Sequence, residues 1–142
     1  MNERRQAVRV ILLDGQGRTL LFRGGDPDRS DDIYWFTPGG GVDEGEDLEA
    51  AARRELLEEV GLQFGDLGPP LACEEIEFVF EGRRIFQSQT FFRVRLDHLL
   101  EVSTSGWTEV ERRSVTDVRW WSREEIEASG ERIYPEDLIR WI

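Results

Sequence analysis

A mixed β-sheet in a layered α/β domain is the fold this chain predicts, and three features carry the prediction. Runs of β-branched and aromatic residues flank Gly-containing turns on both sides of the chain's centre. One helical segment lies between them, and short strand and helix signals close the C-terminal third. At 142 residues and 39% hydrophobic content, the chain has the material for one core and is read as a single domain over residues 1–142.

The elements follow in order. Ala7 to Leu13 and Thr19 to Arg23 are β-type runs joined by Asp14-Gly15-Gln16-Gly17, whose glycines suit a hairpin turn. Gly24 to Asp32 is a polar loop, and Ile33 to Thr37 is a short aromatic strand ending at Pro38. Gly39-Gly40-Gly41 follows, leaving the backbone open to close approach by a ligand. A helix runs from about Asp47 to Val60 and stops at Gly61. After a loop at Gly65 to Pro70, the runs Ala72 to Phe80 and Arg84 to Leu96 flank Glu81-Gly82-Arg83 as a second hairpin. A polar stretch leads to a last strand at Val118 to Trp121, a helix at Arg123 to Ala128 and a terminal helix over Pro135 to Ile142.

The central helix carries the chemistry. Glu55, Glu58 and Glu59 fall within roughly a third of its circumference. Two carboxylates about 5 Å apart repel by roughly 3 kcal/mol at an effective dielectric of about 20, so a cation is expected among them. They also interrupt a stripe, Leu48, Ala51, Ala52 and then Leu62, that otherwise packs. Grouped oxygen donors suit Mg²⁺ or Mn²⁺; zinc would call for the His and Cys this chain nearly lacks.

Composition narrows the partners. Thirty acidic against 18 basic residues, net −12, oppose a nucleic-acid polymer in a basic groove but leave room for a small anionic substrate beside a metal and local arginines. Cys73 is the single cysteine, so no intramolecular disulfide forms and a reducing, cytoplasmic compartment is expected. The apolar run Val8 to Leu13 is too short and too interrupted to span a membrane.

The segment Gly40 to Leu62, with Gly40, Glu46, Arg54, Glu55, Leu56, Glu58, Glu59, Gly61 and Leu62 at its fixed positions, resembles the signature of the Nudix hydrolases. A chance match at a given position is on the order of 10⁻⁹ to 10⁻¹⁰ from average residue frequencies. The opening strands, Trp35-Phe36-Thr37-Pro38 and Arg119-Trp120-Trp121-Ser122 are also similar to the family.

The resemblance implies an α/β/α sandwich and Mg²⁺-dependent hydrolysis of a nucleoside diphosphate linked to another moiety, a nucleoside triphosphate or nucleotide sugar for example, with release of a mononucleotide. By position, Glu55, Glu58 and Glu59 look like metal ligands and Gly39 offers a backbone carbonyl. Glu46 and Arg54 support them, the arginine orienting a catalytic glutamate. Of Glu109 and Glu111, in the polar stretch where some relatives place an extra acid, Glu111 is the candidate base. Arg23 resembles a phosphate-contacting arginine. Tyr34, Trp35, Phe78 and Phe80 are available aromatics, with none assigned to a base. Many relatives dimerise, which leaves a homodimer open. A nucleotide-binding sensor of the same fold without turnover is the alternative reading; a diphosphate isomerase finds no supporting Cys, since Cys73 lies in a predicted strand.

Overall fold

The computed structural model describes residues 2–26, 28–29 and 31–142, so parts of the predicted loop Gly24 to Asp32 lie outside the described residues. Among the described residues the strands are β1 (Asn2–Leu13), β2 (Thr19–Gly25), β3 (Ile33–Phe36), β4 (Gly39–Gly41), β5 (Ala72–Phe80), β6 (Arg83–Arg95), β7 (Val115–Trp121) and β8 (Ile133–Tyr134). The helices are α1 (Leu48–Val60), α2 (Glu109–Ser114), α3 (Arg123–Ala128) and α4 (Leu138–Trp141).

The sheet runs β5-β6-β1-β2-β3-β8, with β4 on β1 and β7 on β2. β1 is parallel to β6 and β3 to β8, while the other pairs are antiparallel, so the sheet is mixed as predicted. One face packs α1 through Ala51, Ala52, Leu56 and Val60 onto Val8, Val10, Leu12 and Phe92. The other face packs Ile126 of α3 and Leu138 of α4 with Ile11, Leu21, Trp35, Phe91 and Trp121. Helix, sheet and helix form the expected α/β/α sandwich.

Local chemistry explains α1. The Asp47 carboxylate caps it by accepting from the Ala50 N–H at 2.7 Å. Gly61, at φ 78°, ends it by donating to the Leu56 and Leu57 carbonyls, a left-handed conformation that favours glycine. The predicted second hairpin forms as β5–β6, paired from Ala72↔Phe91 to Phe80↔Arg83, with Arg83 in the strand and the turn reduced to Glu81-Gly82. Cys73 is exposed on β5.

Several expectations change. The opening hairpin exists only at its turn: β1 and β2 pair at Leu13↔Thr19 and then diverge. Asp14 holds the turn by accepting from the N–H groups of Gln16 and Arg18. Beyond it, β1 spends one edge on twelve parallel pairs with β6 and the other on the glycine strand β4. That pairing also carries β1 back to Asn2, five residues before the apolar pattern starts. The polar stretch before the last strand contains α2, started by Thr108 and Glu111 in a reciprocal capping box. The terminal helix begins at Leu138, where the Leu138 N–H donates to the Pro135 carbonyl at 3.0 Å, so Pro135 precedes the helix.

Candidate functional site

The site gathers where β4 passes α1. Val10 N–H donates to the Pro38 carbonyl and Val42 N–H to the Gln6 carbonyl, so the ladder alternation turns the polar backbone groups of Gly39 and Gly41 away from β1. The Gly39 N–H accordingly donates to Glu59 Oε1 at 2.7 Å. The Gly41 carbonyl accepts from Arg54 Nη2 at 2.9 Å. Gly40 has no room for a side chain, since a Cβ there would lie 2.5 Å from Glu55 Oε1. The glycine run is therefore a strand with carboxylates laid against it.

Glu55 and Glu59 are 7% and 5% exposed. They converge with Glu111 of α2, one carboxylate oxygen from each lying within 4.8 Å of the others. Glu58 stands apart: its side chain is 41% exposed and its carboxylate accepts from Arg54 at 3.3 Å on the cleft rim. Helical geometry separates them, because Glu58 lies about 60° to one side of Glu55 and Glu59 about 40° to the other.

Arg54 is the hub. Its Nε and Nη2 donate to the two oxygens of Glu46, each at 2.9 Å, and Nη1 donates to Glu55 at 3.0 Å. Glu46 and Arg54, expected from the sequence as supporting residues with the arginine orienting a glutamate, meet here as a two-point ion pair. The hydrogen bonds from Arg54 bring the Glu46 carboxyl down to about 2, and those to Glu46 hold the Arg54 guanidinium above its ordinary range.

The inner carboxyls shift the other way. Burial pushes Glu55 up to about 7, against the pull of Arg54. Burial, then the hydrogen bond with Glu111, then the charge of Glu55 push Glu59 well above the carboxylate range. Burial also pulls Glu111 upward, but its hydrogen bonds with Glu59 and with the backbone and hydroxyl of Thr108 outweigh it and leave the carboxyl lowered. The two carboxyls face each other and shift in opposite directions. An all-oxygen donor set of this kind fits Mg²⁺ or Mn²⁺.

Loop contacts bring Glu111 to the helix. Ser103 N–H donates to the Val60 carbonyl at 2.8 Å and Trp107 Nε1 to the Glu59 carbonyl at 2.7 Å. Gly106 lies so close that a Cβ would be 2.6 Å from the Glu58 carbonyl oxygen. The signal for α2 was present as Thr108-Glu109-Val110-Glu111, the spacing of a capping box.

The resulting cleft encloses about 490 Å³ and is lined by Gly39 to Asp43, Arg54, Glu55, Glu58, Thr108, Glu111 and the β1 residues Glu3, Arg5 and Gln6. Arg5 escaped the sequence reading, because the predicted strand began at Ala7 and gave residue 5 no face. Burial, then the charge of Arg9, lowers its guanidinium pKa. Arg23 does not line this cleft; at the end of β2 it donates to Thr116 Oγ1 at 3.5 Å. Trp35 is core, edge-on to Trp121 at 5.0 Å, and Tyr34 packs against Tyr134 at 5.3 Å.

Fold and site together define an α/β/α sandwich with a glycine-lined acidic cleft along the second half of its central helix. A family model described as NUDIX domain matches residues 3–142, and the chain belongs to that family. It is 38% identical over 101 residues to an RNA pyrophosphohydrolase of Wolbachia pipientis subsp. Culex pipiens (strain wPip), an alignment covering 66% of this chain and 60% of that protein. A second RNA pyrophosphohydrolase, from Rhodopseudomonas palustris (strain BisA53), is 36% identical over 115 residues, 72% of this chain and 65% of its own. The chain thus spans somewhat under two thirds of the length of these relatives.

Among solved structures, the MutT protein from Methanosarcina mazei Go1 superposes with a TM-score of 0.66 at 20% identity, covering 99% of this chain and 93% of that one. The NUDIX domain of Shewanella oneidensis NrtR, complexed with ADP ribose, gives 0.65 at 18% identity, covering 98% and 84%. These likenesses show the fold. Among the described residues, no helix is long and apolar enough to cross a membrane.

Proposed function

We propose that this protein is a divalent-metal-dependent pyrophosphohydrolase acting on a nucleoside diphosphate linked to another moiety and releasing a mononucleotide. The observation that carries the reading is the convergence of buried Glu55 and Glu59 with Glu111 beside the backbone of Gly39.

Those three carboxylates and the Gly39 carbonyl would hold Mg²⁺, with Mn²⁺ as substitute, and Glu58 faces the same cleft. Held there, a divalent ion would neutralise phosphate charge and lower the pKa of a bound water. The chain's own groups do the rest. Arg54 ties Glu46, Glu55 and Glu58 into one frame, so the carboxylates keep their spacing while substrate enters. Glu58, more exposed than Glu55 and Glu59, would take a proton from an attacking water. Arg5 has no ion pair among the described residues and faces a cleft otherwise rich in carboxylates, so it is placed to receive a phosphate oxygen. Arg23, remote from the cleft lining, is no longer the favoured phosphate contact.

Relatives named RNA pyrophosphohydrolase place RNA beside small nucleotides as a substrate class. The net charge of −12 disfavours a long polyanion along this surface, so an RNA would present only its end. The test is a panel of nucleoside triphosphates, nucleotide sugars, dinucleoside polyphosphates and 5′-triphosphorylated RNA, read by release of phosphate, pyrophosphate and mononucleotide, or of 5′-monophosphorylated RNA, with Mg²⁺ or Mn²⁺. Turnover that falls by about 10²-fold or more in Glu58→Gln, with the fold retained, is the expected result. Tight nucleotide binding without turnover would instead identify a sensor domain.

A further inference from the structure

The β5–β6 hairpin closes in a two-residue turn at which both residues have positive φ, 50° at Glu81 and 76° at Gly82. Such a turn favours Asn-Gly or Asp-Gly, and among the described residues Glu81 is the one non-glycine with positive φ. The turn by itself gives no reason for a longer acidic side chain. Its surroundings do. The Glu81 N–H donates at 2.8 Å to Oδ2 of Asp26, a residue 4% exposed just past the end of β2. Arg83, immediately after the turn, pairs at 2.9 Å with Glu3 on the cleft wall. With the tip held on both sides, the Glu81 carboxylate meets the Arg113 guanidinium of α2 at 3.7 Å.

We infer that Glu81 is a positioning residue: through Arg113 it sets the rotation of α2, and with it the aim of Glu111 into the carboxylate cluster. The inference rests on the pyrophosphohydrolase reading above, in which that cluster holds the metal. Both ends of α2 are anchored elsewhere. Trp107 and Gly106 fix its start against α1. At its other end a Cβ on Gly24 of β2 would strike the Ser114 carbonyl, and Val115 enters the β7 ladder opposite Gly24. Two end anchors leave rotation about the line joining them, and α2 has no buried side chain to oppose it. Arg112 donates to the Thr104 carbonyl at 3.1 Å, in the same loop that Trp107 already anchors, so it ties α2 to no further element. Glu111 and Arg113 stand about 200° apart around the helix, so one faces α1 while the other faces the hairpin tip. A hold on Arg113 is therefore a hold on Glu111. Magnitude separates position from stability. An ion pair as exposed as this one shifts an equilibrium by no more than about fivefold. That is little against global unfolding but enough to change the placement of a short helix held only at its ends.

The experiment compares wild type with Glu81→Asn, Arg113→Glu and the reversed pair Glu81→Arg/Arg113→Glu. It reads Tm without metal, Mg²⁺ affinity from the titrated Tm shift, and kcat and KM at saturating Mg²⁺ on the best substrate of the panel. Asn suits the turn, so Glu81→Asn should hold or raise the metal-free Tm while Mg²⁺ affinity and kcat each fall about fivefold and KM stays. Arg113→Glu, which sets two like charges at the contact, should fall further, and the reversed pair should recover to within about twofold of wild type. Wild-type Mg²⁺ affinity in Glu81→Asn, a metal-free Tm that falls along with the affinity, or a reversed pair no better than Arg113→Glu alone overturns the assignment. If no substrate turns over, loss and recovery of Mg²⁺ affinity across the same variants still support it while the hydrolase reading falls.

Discussion

Single residues set the charge state of the site. Glu55, raised to about 7 by burial, binds its proton more tightly folded than unfolded, and Glu59 shifts the same way. Their contribution to stability is fully present below the unfolded carboxylate range, about 4.3, and is lost as pH rises through the folded value. Metal-free protein should therefore lose melting temperature between about pH 4 and pH 7 from these groups. Mg²⁺ should raise Tm more at pH 8 than at pH 5, because at pH 5 it competes with protons. Thermal melts in Mg²⁺ and in chelator across that range check this. Glu59→Gln, which can still accept from Gly39 and donate to Glu111, should raise Tm without metal at pH 8 and remove the response to Mg²⁺. A larger Mg²⁺ effect at pH 5 would contradict the scheme. Gly40→Ala tests the geometry: its Cβ meets only the end of the Glu55 side chain, so folding should survive while kcat drops by about 10²-fold through misplacement of the carboxylate.

At the scale of elements, α2 completes the cluster and is held there by a loop. Its six residues bury none of their own side chains, so its position depends on Trp107, Gly106 and Ser103 against the last turns of α1. Gly106→Ala would drive a methyl group into the Glu58 backbone and push α2 outward. The expected outcome is weaker Mg²⁺ affinity, by about tenfold or more, with near-normal helical circular dichroism; titration of the Tm shift reads it. α1 is the opposite case, legible in full because Asp47, the apolar stripe and Gly61 are local signals. Asp47→Ala should cost about 1 kcal/mol of stability through loss of the cap, measured by denaturant unfolding. The β5–β6 hairpin was equally legible, since alternation and turn chemistry act between neighbours in the chain. The glycine strand β4 and the two-residue β8 were not, because neither has a side-chain pattern and each exists only through its partner strand.

The whole molecule carries a net charge of −12, yet its cleft is proposed to receive a polyphosphate. Two arginines and a bound cation must reverse the field locally, in place of a broad basic surface. Substrate binding should for that reason weaken by much less than the 10³-fold or more that a multi-phosphate basic groove loses between about 50 and 200 mM salt. KM measured across that salt range checks it, and a steep rise would point to an extended phosphate track that the cleft lining does not contain.

By itself the sequence determined the mixed α/β class, the central helix with its caps, and the set of Glu46, Arg54, Glu55, Glu58 and Glu59, because these depend on spacing within one local segment. Tertiary structure decided which carboxylates meet. It brought Glu111 to Glu55 and Glu59 across fifty-two residues of chain from the nearer of the two, set Glu58 on the rim with Arg54, put Arg5 in the cleft and left Arg23 outside it. The physical reason is that side chains converge through strand pairing and loop docking. β1 is held to Asn2 by β6, and α2 is held to α1 by Trp107, and neither contact leaves a periodicity in the residues it positions.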